Sequence, residues 1–197
     1  MKTLIVVDMQ NDFVTGVLGC EAAQAIVPNV IAKVREYLED GHCVVFTLDT
    51  HLRETYSNTR EGKNLPVPHC ILNTTGQELI ADLDIIVDTM LDDKVMFAGI
   101  EVPQITLTVK SDQFGLPIYD MSDPSDAPRM LQELESIEFI GIATNICVIS
   151  CAICSQNIFK NVEHIIDASC CASYDKDLHE KALDVMEGLQ FKVINRC

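Results

Sequence analysis

A cysteine lies where a predicted strand gives way to a predicted helix, in the stretch GIATNICVISCAI at positions 141–153. The first turn of a helix favours the thiolate form of a cysteine, because its backbone N–H groups attract negative charge. A thiolate at Cys147 would be a nucleophile. Backbone N–H groups at the strand-to-helix turn would point toward an oxyanion on the attacked carbon. The pattern therefore indicates acyl transfer through a cysteine.

The ends of other predicted strands also carry groups that could take part. Asp8 follows the first strand, and Lys110 ends the third. Asp49 and His51 follow the second. In an open parallel sheet, the functional crevice lies at the carboxyl ends of the strands. Taken alone, Asp8 could cap a turn and Lys110 could be a solvated strand end. Together they indicate a carboxylate that moves the thiol proton and an ammonium that favours the thiolate.

The remaining cysteines and histidines have more ordinary interpretations. Cys151 and Cys154 match the C-x-x-C spacing of redox or metal sites, but with Cys147 they fall at i, i+4 and i+7 of one predicted helix. This spacing indicates a shared inward face, so a core role is favoured over a redox role. His164 lies inside a predicted strand and His179 in a predicted surface helix, which favours an acid–base role for Asp8 instead.

Short apolar strands alternate with helical patterns along the chain. The predicted strands are 3–8, 42–49, 105–110, 138–143, 162–168 and the final segment FKVINR at 191–196. The predicted helices are 20–41, 122–137, 144–157 and 177–189, and 89–104 is left unassigned. Strands rich in valine and isoleucine that alternate with helices are typical of parallel sheets covered on both faces. We therefore expect an α/β fold with three layers (α/β/α), in which helices cover both faces of a mostly parallel, Rossmann-like sheet of about six strands.

Composition limits the class of protein. The 197 residues are 48% hydrophobic, which is enough for one well-buried core, so we expect a single domain over 1–197. The formal net charge of −16 repels phosphate backbones and anionic lipids, so we expect neither nucleic acid nor a membrane as partner. The nine cysteines lack the spacing of a secreted disulfide scaffold. We expect a soluble, cytoplasmic protein that forms a homo-oligomer.

Three blocks of the sequence resemble those of a known family. LIVVDMQNDF, the lysine after TLTV, and GIATNICV are similar to the signature blocks of the isochorismatase-like cysteine hydrolases, the superfamily that contains nicotinamidases. The tail DASCCASYDKDLHEKALDVM extends the resemblance over nearly the whole chain. The resemblance implies that Cys147 is the nucleophile, Asp8 the general base and then acid, and Lys110 the electrostatic partner of both.

The resemblance also implies the local geometry around the nucleophile. The family places a cis peptide bond that does not involve proline just before this turn, which corresponds here to Ile142–Ala143. The oxyanion hole would then be formed by the backbone amides of Ala143 and Cys147.

A second set of residues resembles the metal-binding blocks of nicotinamidases. LDTH at 48–51 and LPVPHCILNTTGQEL at 65–79 match a D-x-H motif followed by a later histidine, at Asp49, His51 and His69. Two imidazoles and a carboxylate suit a divalent ion such as Zn, Mn or Fe. Without the resemblance, His51 could be a loop residue and His69 part of a satisfied turn. Isochorismatases proper lack this set, so it favours the amidase branch.

The sequence departs from the nicotinamidase pattern at two places. Many nicotinamidases carry another histidine where this chain has Ser57; some members use a glutamate instead, which would be Glu61 here, although Glu61 could also be a solvated loop acid. The chain reads KSDQFGLP at 110–117 where a Ser-Ala-Phe segment usually follows the lysine, which affects the expected pocket wall. Phe13 matches the aromatic residue that stacks on the pyridine ring, and it could equally be ordinary core.

The function expected from these residues is that of a metal-dependent amidohydrolase acting on a small-molecule amide. The favoured reaction converts nicotinamide to nicotinate and ammonia through a thioester. Alternatives within the enzymes are another small amide, an N-carbamoyl compound or an isochorismate-like vinyl ether. From other classes, a non-catalytic binding module or a thiol redox protein using Cys151 and Cys154 remains open.

Overall fold

The structure is a computed structural model that describes residues 1–90, 92–97, 100–111 and 134–196. Its strands, in chain order, are β1 (Lys2–Val7), β2 (Cys43–Thr50), β3 (Lys94–Phe97), β4 (Ile100–Pro103), β5 (Ile105–Ser111), β6 (Ser136–Ile142), β7 (Glu163–Ala172) and β8 (Lys192–Ile194). Six of them form one parallel sheet in the order β5-β2-β1-β6-β7-β8. The remaining two, β3 and β4, form an antiparallel pair. The expected parallel sheet of about six strands is confirmed.

Helices cover both faces of this sheet. They are α1 (Asn11–Val14), α2 (Glu21–Glu39), α3 (Arg60–Asn64), α4 (Ala81–Met90), α5 (Ile149–Ile158) and α6 (Lys176–Gly188), with a 3₁₀ turn at Tyr56–Asn58 and a π-helical turn at Thr144–Val148. Among the described residues, no helix combines the length and the apolar character needed to cross a bilayer.

Strand β1 shows why the sheet lies between two helical layers. Its side chains alternate between the two faces, and residues 3–7 are all buried. Leu4 and Val6 pack in one core with apolar residues of α1, α2 and α4. Ile5 and Val7 pack in the other core with residues of α5 and α6. An uninterrupted apolar strand is thus explained by burial on both faces, as in other parallel sheets.

One predicted helix is partly wrong, and three helices, α1, α3 and α4, were not predicted. Of the predicted helix 122–137, residues 122–133 lie outside the described part of the chain. Its last two residues, Ser136 and Ile137, instead begin β6, because they pair with β1 on one side and β7 on the other. The unassigned region 89–104 contains the end of α4 and the β3–β4 pair.

The order of the strands creates a topological switch point beside β1. The chain proceeds from β1 outward to β2 and β5, and then returns to place β6 on the other side of β1. The connections after β1 and β6 therefore diverge, which leaves a crevice between the carboxyl ends of these two strands. Asp8 follows β1, and the turn that contains Cys147 follows β6, so both flank this crevice.

A buried ion network lies under α2. Lys33 Nζ is 3.1 Å from Glu138 Oε1 on β6 and 3.2 Å from Asp167 Oδ2 on β7. The Tyr37 hydroxyl donates a hydrogen bond to Glu138 Oε2 at 2.7 Å. The side chains of Glu138 and Asp167 are almost fully buried, so their charges depend on these partners.

The charges in this network stabilise one another against burial. Burial alone would lower the pKa of the Lys33 ammonium, but the neighbouring carboxylates outweigh it and raise that pKa. Burial would raise the pKa of Asp167, but hydrogen bonds from Ser169 and Asn195, together with Lys33, hold it below the usual value. The Asp167 contribution to stability is therefore complete above about pH 4 and is lost as the pH falls through its folded pKa.

Replacing Lys33 with methionine should destabilise the protein strongly at neutral pH. The substitution leaves two buried carboxylates without their cation, and breaking such a pair costs about 3–5 kcal/mol. Because 16% of the Lys33 side chain is exposed, we expect a loss of about 2–3 kcal/mol in the free energy of unfolding, measured by urea denaturation. The loss should shrink below about pH 4, as the pH falls through the folded pKa of Asp167.

The matched control is Lys192→Met. Lys192 forms an ion pair with Glu163 in which both side chains are more than half exposed. Exposed pairs contribute little to stability. If Lys33→Met were no more destabilising than Lys192→Met, the buried network would not contribute as described.

Candidate active site and metal centre

Asp8 is held in a fixed position at the end of β1. It adopts a left-handed conformation, with φ of 52°, and is fully buried. Its Oδ1 accepts a hydrogen bond of 2.6 Å from the Thr47 hydroxyl on β2, and its backbone N–H lies 3.2 Å from the same hydroxyl oxygen. A buried carboxylate oriented in this way can exchange a proton with a group in the crevice.

The turn that carries Cys147 has an unusual backbone. The peptide bond between Ile142 and Ala143 is cis, as expected. The carbonyl of Ala143 accepts hydrogen bonds from the N–H groups of Ile146 at 3.0 Å and Val148 at 3.1 Å, which starts the π-helical turn. Cys147 is buried within this turn, 8% exposed, between the end of β6 and the start of α5.

The sheet register brings the three predicted catalytic positions to one edge. Val7 pairs with Gly141, so Asp8 and the Cys147 turn leave adjacent strands at the same level. Lys110 pairs with Asp49 across β5 and β2, at the same edge. The backbone of Lys110 is described, and its side chain lies outside the described part of the structure. The backbone places the three positions at one edge, and their catalytic roles stay a prediction.

Four side chains beside this edge form a compact group that could hold a metal ion. They are the predicted ligands Asp49, His51 and His69, together with Glu61, and each offers one ligand atom within 4.8 Å of all the others. Asp49 Oδ2 lies 3.0 Å from His51 Nε2 and 3.3 Å from His69 Nε2. Glu61 lies 3.6 Å from His51 Nε2 and 3.5 Å from His69 Nε2. Of the two interpretations of Glu61, the geometry favours the ligand.

These separations fit a metal ion. Four ligands at 2.0–2.1 Å from a tetrahedral ion lie about 3.3 Å apart, close to the distances observed here. The His69 imidazole is oriented by its Nδ1, which donates to the Val67 carbonyl at 2.9 Å and leaves the Nε2 lone pair for the ion. The donor set of two imidazoles and two carboxylates suits Zn, Mn or Fe.

The electrostatics of the group also favour a cation. Burial alone would lower the pKa of His69, but hydrogen bonds to Asp49 and Glu61 raise it to about 10. The pKa of His51 is raised as well, with burial opposed chiefly by Asp49. The two carboxylates therefore create a negative potential at the centre of the group, which a divalent ion would neutralise.

Gln10, which the sequence did not single out, connects the two parts of the site. Its fully buried side chain donates to the Asp49 carbonyl at 2.9 Å and accepts from the Asp49 N–H at 2.8 Å. It also donates to the Gln77 carbonyl at 2.6 Å. Its own backbone N–H donates to the Asp8 carbonyl at 2.8 Å. Gln10 thus holds the backbone of Asp49, a member of the four-residue metal group, in a fixed position relative to Asp8.

One further side chain lines the metal group without having been predicted to do so. The Tyr56 hydroxyl donates to the Leu65 carbonyl at 2.7 Å, and its ring packs edge-on against both His51 and His69. Nothing in the spacing of Tyr56 along the chain could have indicated this.

Phe13 lies against the metal group. Its ring is 5.3 Å from the ring of His69, and it is buried within the core on the α2 side of the sheet. Phe13 therefore both packs against a histidine of the metal group and belongs to the core. Its stacking on a substrate ring stays a prediction.

The other cysteines and histidines are placed largely as expected. His164 is buried, stacks on Phe139 and lies 2.9 Å from the Ser155 hydroxyl, which agrees with a structural role. Cys151 is fully buried and Cys154 only partly so, so they share the inward face incompletely. His179 lies on α6, but its Nδ1 is 2.8 Å from Thr144 Oγ1 in the Cys147 turn.

The fold and the sequence are similar to those of known proteins. A family model described as the isochorismatase domain matches residues 2–112. A nicotinamidase/pyrazinamidase of Mycobacterium tuberculosis is 28% identical over 154 residues, which cover 75% of each chain. A crystal structure of pyrazinamidase/nicotinamidase from Streptococcus mutans, 23% identical, matches with a TM-score of 0.79 over 98% of this chain and 100% of that one. A crystal structure of pyrazinamidase from Pyrococcus horikoshii in complex with zinc is 22% identical and matches with a TM-score of 0.69 over 99% of each chain.

The structural likenesses establish the fold, and the sequence match establishes the family. The matched segment contains Asp8, the four residues of the metal group and Lys110, and it covers more than half of the 197 residues. The blocks that carry the resemblance, the cis bond before the Cys147 turn and the parallel sheet all agree with it. The chain therefore belongs to the isochorismatase family.

Proposed function

We propose that the protein is a metal-dependent amidohydrolase that converts nicotinamide to nicotinate and ammonia. The observation that carries the proposal is the position of a buried Asp8, the Cys147 turn and a four-residue metal group at one edge of the sheet. The names of the Mycobacterium and Streptococcus relatives support nicotinamide as the substrate. Cytoplasmic localisation, the single domain and a homo-oligomer belong to the same proposal.

The first half-reaction forms a thioester at Cys147. Asp8 takes the thiol proton, and the sulfur attacks the amide carbonyl carbon to form a C–S bond. The electron pair of the carbonyl moves to the oxygen, and the backbone N–H groups of Ala143 and Cys147 stabilise this oxyanion. When the oxyanion collapses, the C–N bond breaks, and Asp8 returns its proton to the departing nitrogen, which leaves as ammonia. Lys110 stabilises the negative charges of Cys147 and Asp8.

The second half-reaction hydrolyses the thioester. Asp8, again a carboxylate, takes a proton from a water molecule, which attacks the acyl carbon. The C–S bond breaks, the proton passes from Asp8 to the sulfur, and the acid product leaves. The same carboxylate thus acts twice as base and twice as acid, which explains why it is buried and oriented by Thr47.

The metal group would hold a divalent ion beside the nucleophile. Asp49, His51, Glu61 and His69 would be its protein ligands. A bound ion would act as a Lewis acid toward the substrate ring nitrogen or a water molecule. The Pyrococcus pyrazinamidase structure in complex with zinc supports a bound divalent ion, and Zn, Mn and Fe all suit the donors.

Replacing Cys147 with alanine should abolish ammonia release from nicotinamide. Loss of the nucleophile removes the covalent pathway, so we expect kcat/KM to fall at least about a thousandfold. Ammonia would be measured with a coupled assay on metal-loaded protein. Cys154→Ala is the matched control and should retain activity, because Cys154 lies on the helix beyond the turn.

A substrate panel tests the identity of the substrate separately from the class of enzyme. It contains other small amides, N-carbamoyl compounds and an isochorismate-like vinyl ether. Ammonia from another amide but not from nicotinamide would overturn the substrate and support the amidohydrolase. Hydrolysis of the vinyl ether without any amide activity would overturn both. A Cys147→Ala variant as active as wild type would exclude the thioester mechanism.

Replacing Glu61 with glutamine should weaken metal binding. The substitution keeps the side-chain shape but removes one of the two anionic ligands, so we expect at least about a tenfold lower affinity for Zn²⁺ or Mn²⁺, with lower activity. Binding would be measured by titration calorimetry, and bound metal by elemental analysis. Glu54→Gln, the same change at an exposed residue between β2 and α3, is the control. Equal affinities in the two variants would show that Glu61 is not a ligand.

A further inference from the structure

The turn that carries Cys147 is attached to α6 through a side-chain hydrogen bond. Thr144, the first residue of the turn, is fully buried. Its hydroxyl donates to the Ala172 carbonyl at the end of β7, at 3.0 Å, and the His179 Nδ1 lies 2.8 Å from the same oxygen. The Thr144 hydroxyl has a single hydrogen, which it donates to the Ala172 carbonyl. The hydrogen bond between Thr144 and His179 is therefore donated by the imidazole. His179 is therefore a donor through Nδ1.

A helix cap, apolar packing and a side-chain hydrogen bond hold the segment that carries His179 in place. Helix α6 begins at a cap, because the Asp175 side chain accepts the Leu178 N–H at 3.0 Å. One turn later its apolar face is buried through Leu183 and Met186 against the sheet. Just before the helix, the Ser173 hydroxyl makes a short hydrogen bond to the Asn145 side chain in the Cys147 turn. The turn is thus connected to this segment at two successive residues.

The imidazole has the protonation that this geometry requires. Burial lowers the pKa of His179, and Arg196 and Lys176 act in the same direction against Glu180. The ring is therefore neutral at pH 7, with its hydrogen on Nδ1. A neutral donor can be packed beside the turn without adding a charge to the crevice.

We propose that His179 is a positioning residue for the nucleophile turn, acting through Thr144. Thr144 directly follows Ala143, whose carbonyl organises the turn and whose amide, under the proposed function, is one donor of the oxyanion hole. A displacement of Thr144 would move Ala143 and Cys147 together relative to Asp8, which is held separately by β2. Displacements of well under 1 Å at such donors are costly, because the oxyanion requires close contacts.

The test compares His179→Leu with His179→Asn. Leucine fills the volume without a donor, whereas the asparagine Nδ2 is the same number of bonds from the backbone as the imidazole Nδ1. We expect kcat to fall about tenfold to a hundredfold in the leucine variant, with KM within about twofold, and to recover to within about threefold of wild type in the asparagine variant. Thr144→Val and Thr144→Ser should behave in the same way as this pair.

The control for a general structural effect is His42→Leu. His42 is another partly buried histidine whose pKa is lowered by burial, but it precedes β2 at the opposite edge of the sheet. It should leave kcat unchanged. The melting temperature of every variant is measured alongside, and the asparagine and serine variants keep the test valid if an apolar variant folds poorly.

A second readout does not depend on the substrate. The rate at which iodoacetamide alkylates Cys147, followed by peptide mass spectrometry, should fall severalfold in His179→Leu and recover in His179→Asn, with Cys154 as internal reference. If the wild type hydrolysed no amide but alkylation followed this pattern, the proposed function would fail and the role of His179 would stand. If leucine behaved as wild type, or asparagine were as impaired as leucine, His179 would not position the turn.

Discussion

The close parallel pairing of β1 with β6 governs the geometry of the whole site. At Gly141 the strands approach so closely that a Cβ atom would lie 2.1 Å from the Val7 carbonyl oxygen, and the backbone has a φ of 116°. Glycine meets both conditions, whereas a larger residue would push the strands apart. Because Asp8 comes directly after one strand and the Cys147 turn after the other, this contact sets the distance between the proposed base and the nucleophile. The divergence of the chain on either side then opens the crevice between them.

The metal group is also held in a fixed position relative to Asp8, through contacts with the neighbouring strand β2. Gln10 pairs with both backbone groups of Asp49 as a strand residue would, while its own N–H is bound to Asp8. A fully buried amide that satisfies its donors and its acceptor is costly to displace. The backbones of Asp8 and Asp49 are therefore expected to move together, and the metal group keeps its position relative to the nucleophile.

Local patterns predicted the strands of the parallel sheet well, because parallel strands buried on both faces are continuous apolar runs that end in polar residues. Ser136 and Ile137 were assigned to a helix because the preceding pattern is helical, whereas pairing with two strands made them part of β6. The contacts of Gln10 with Asp49 and of His179 with Thr144 join residues 39 and 35 positions apart. No local pattern contains such contacts, and Glu61 could be assigned to the metal group only once the path of the loop was known.

The attachment of Thr144 to Ala172 and His179 has a consequence for the order in which the protein matures. These anchors are made 28 and 35 residues after the turn itself. At translation rates of about 5–20 residues per second, they follow the thiol by a few seconds. During that interval Asp8 and the residues of the metal group have already been synthesised, but the backbone around Cys147 has no support from β7 or α6. The nascent chain is thus expected to acquire its reactive cysteine geometry last, after the rest of the crevice has formed.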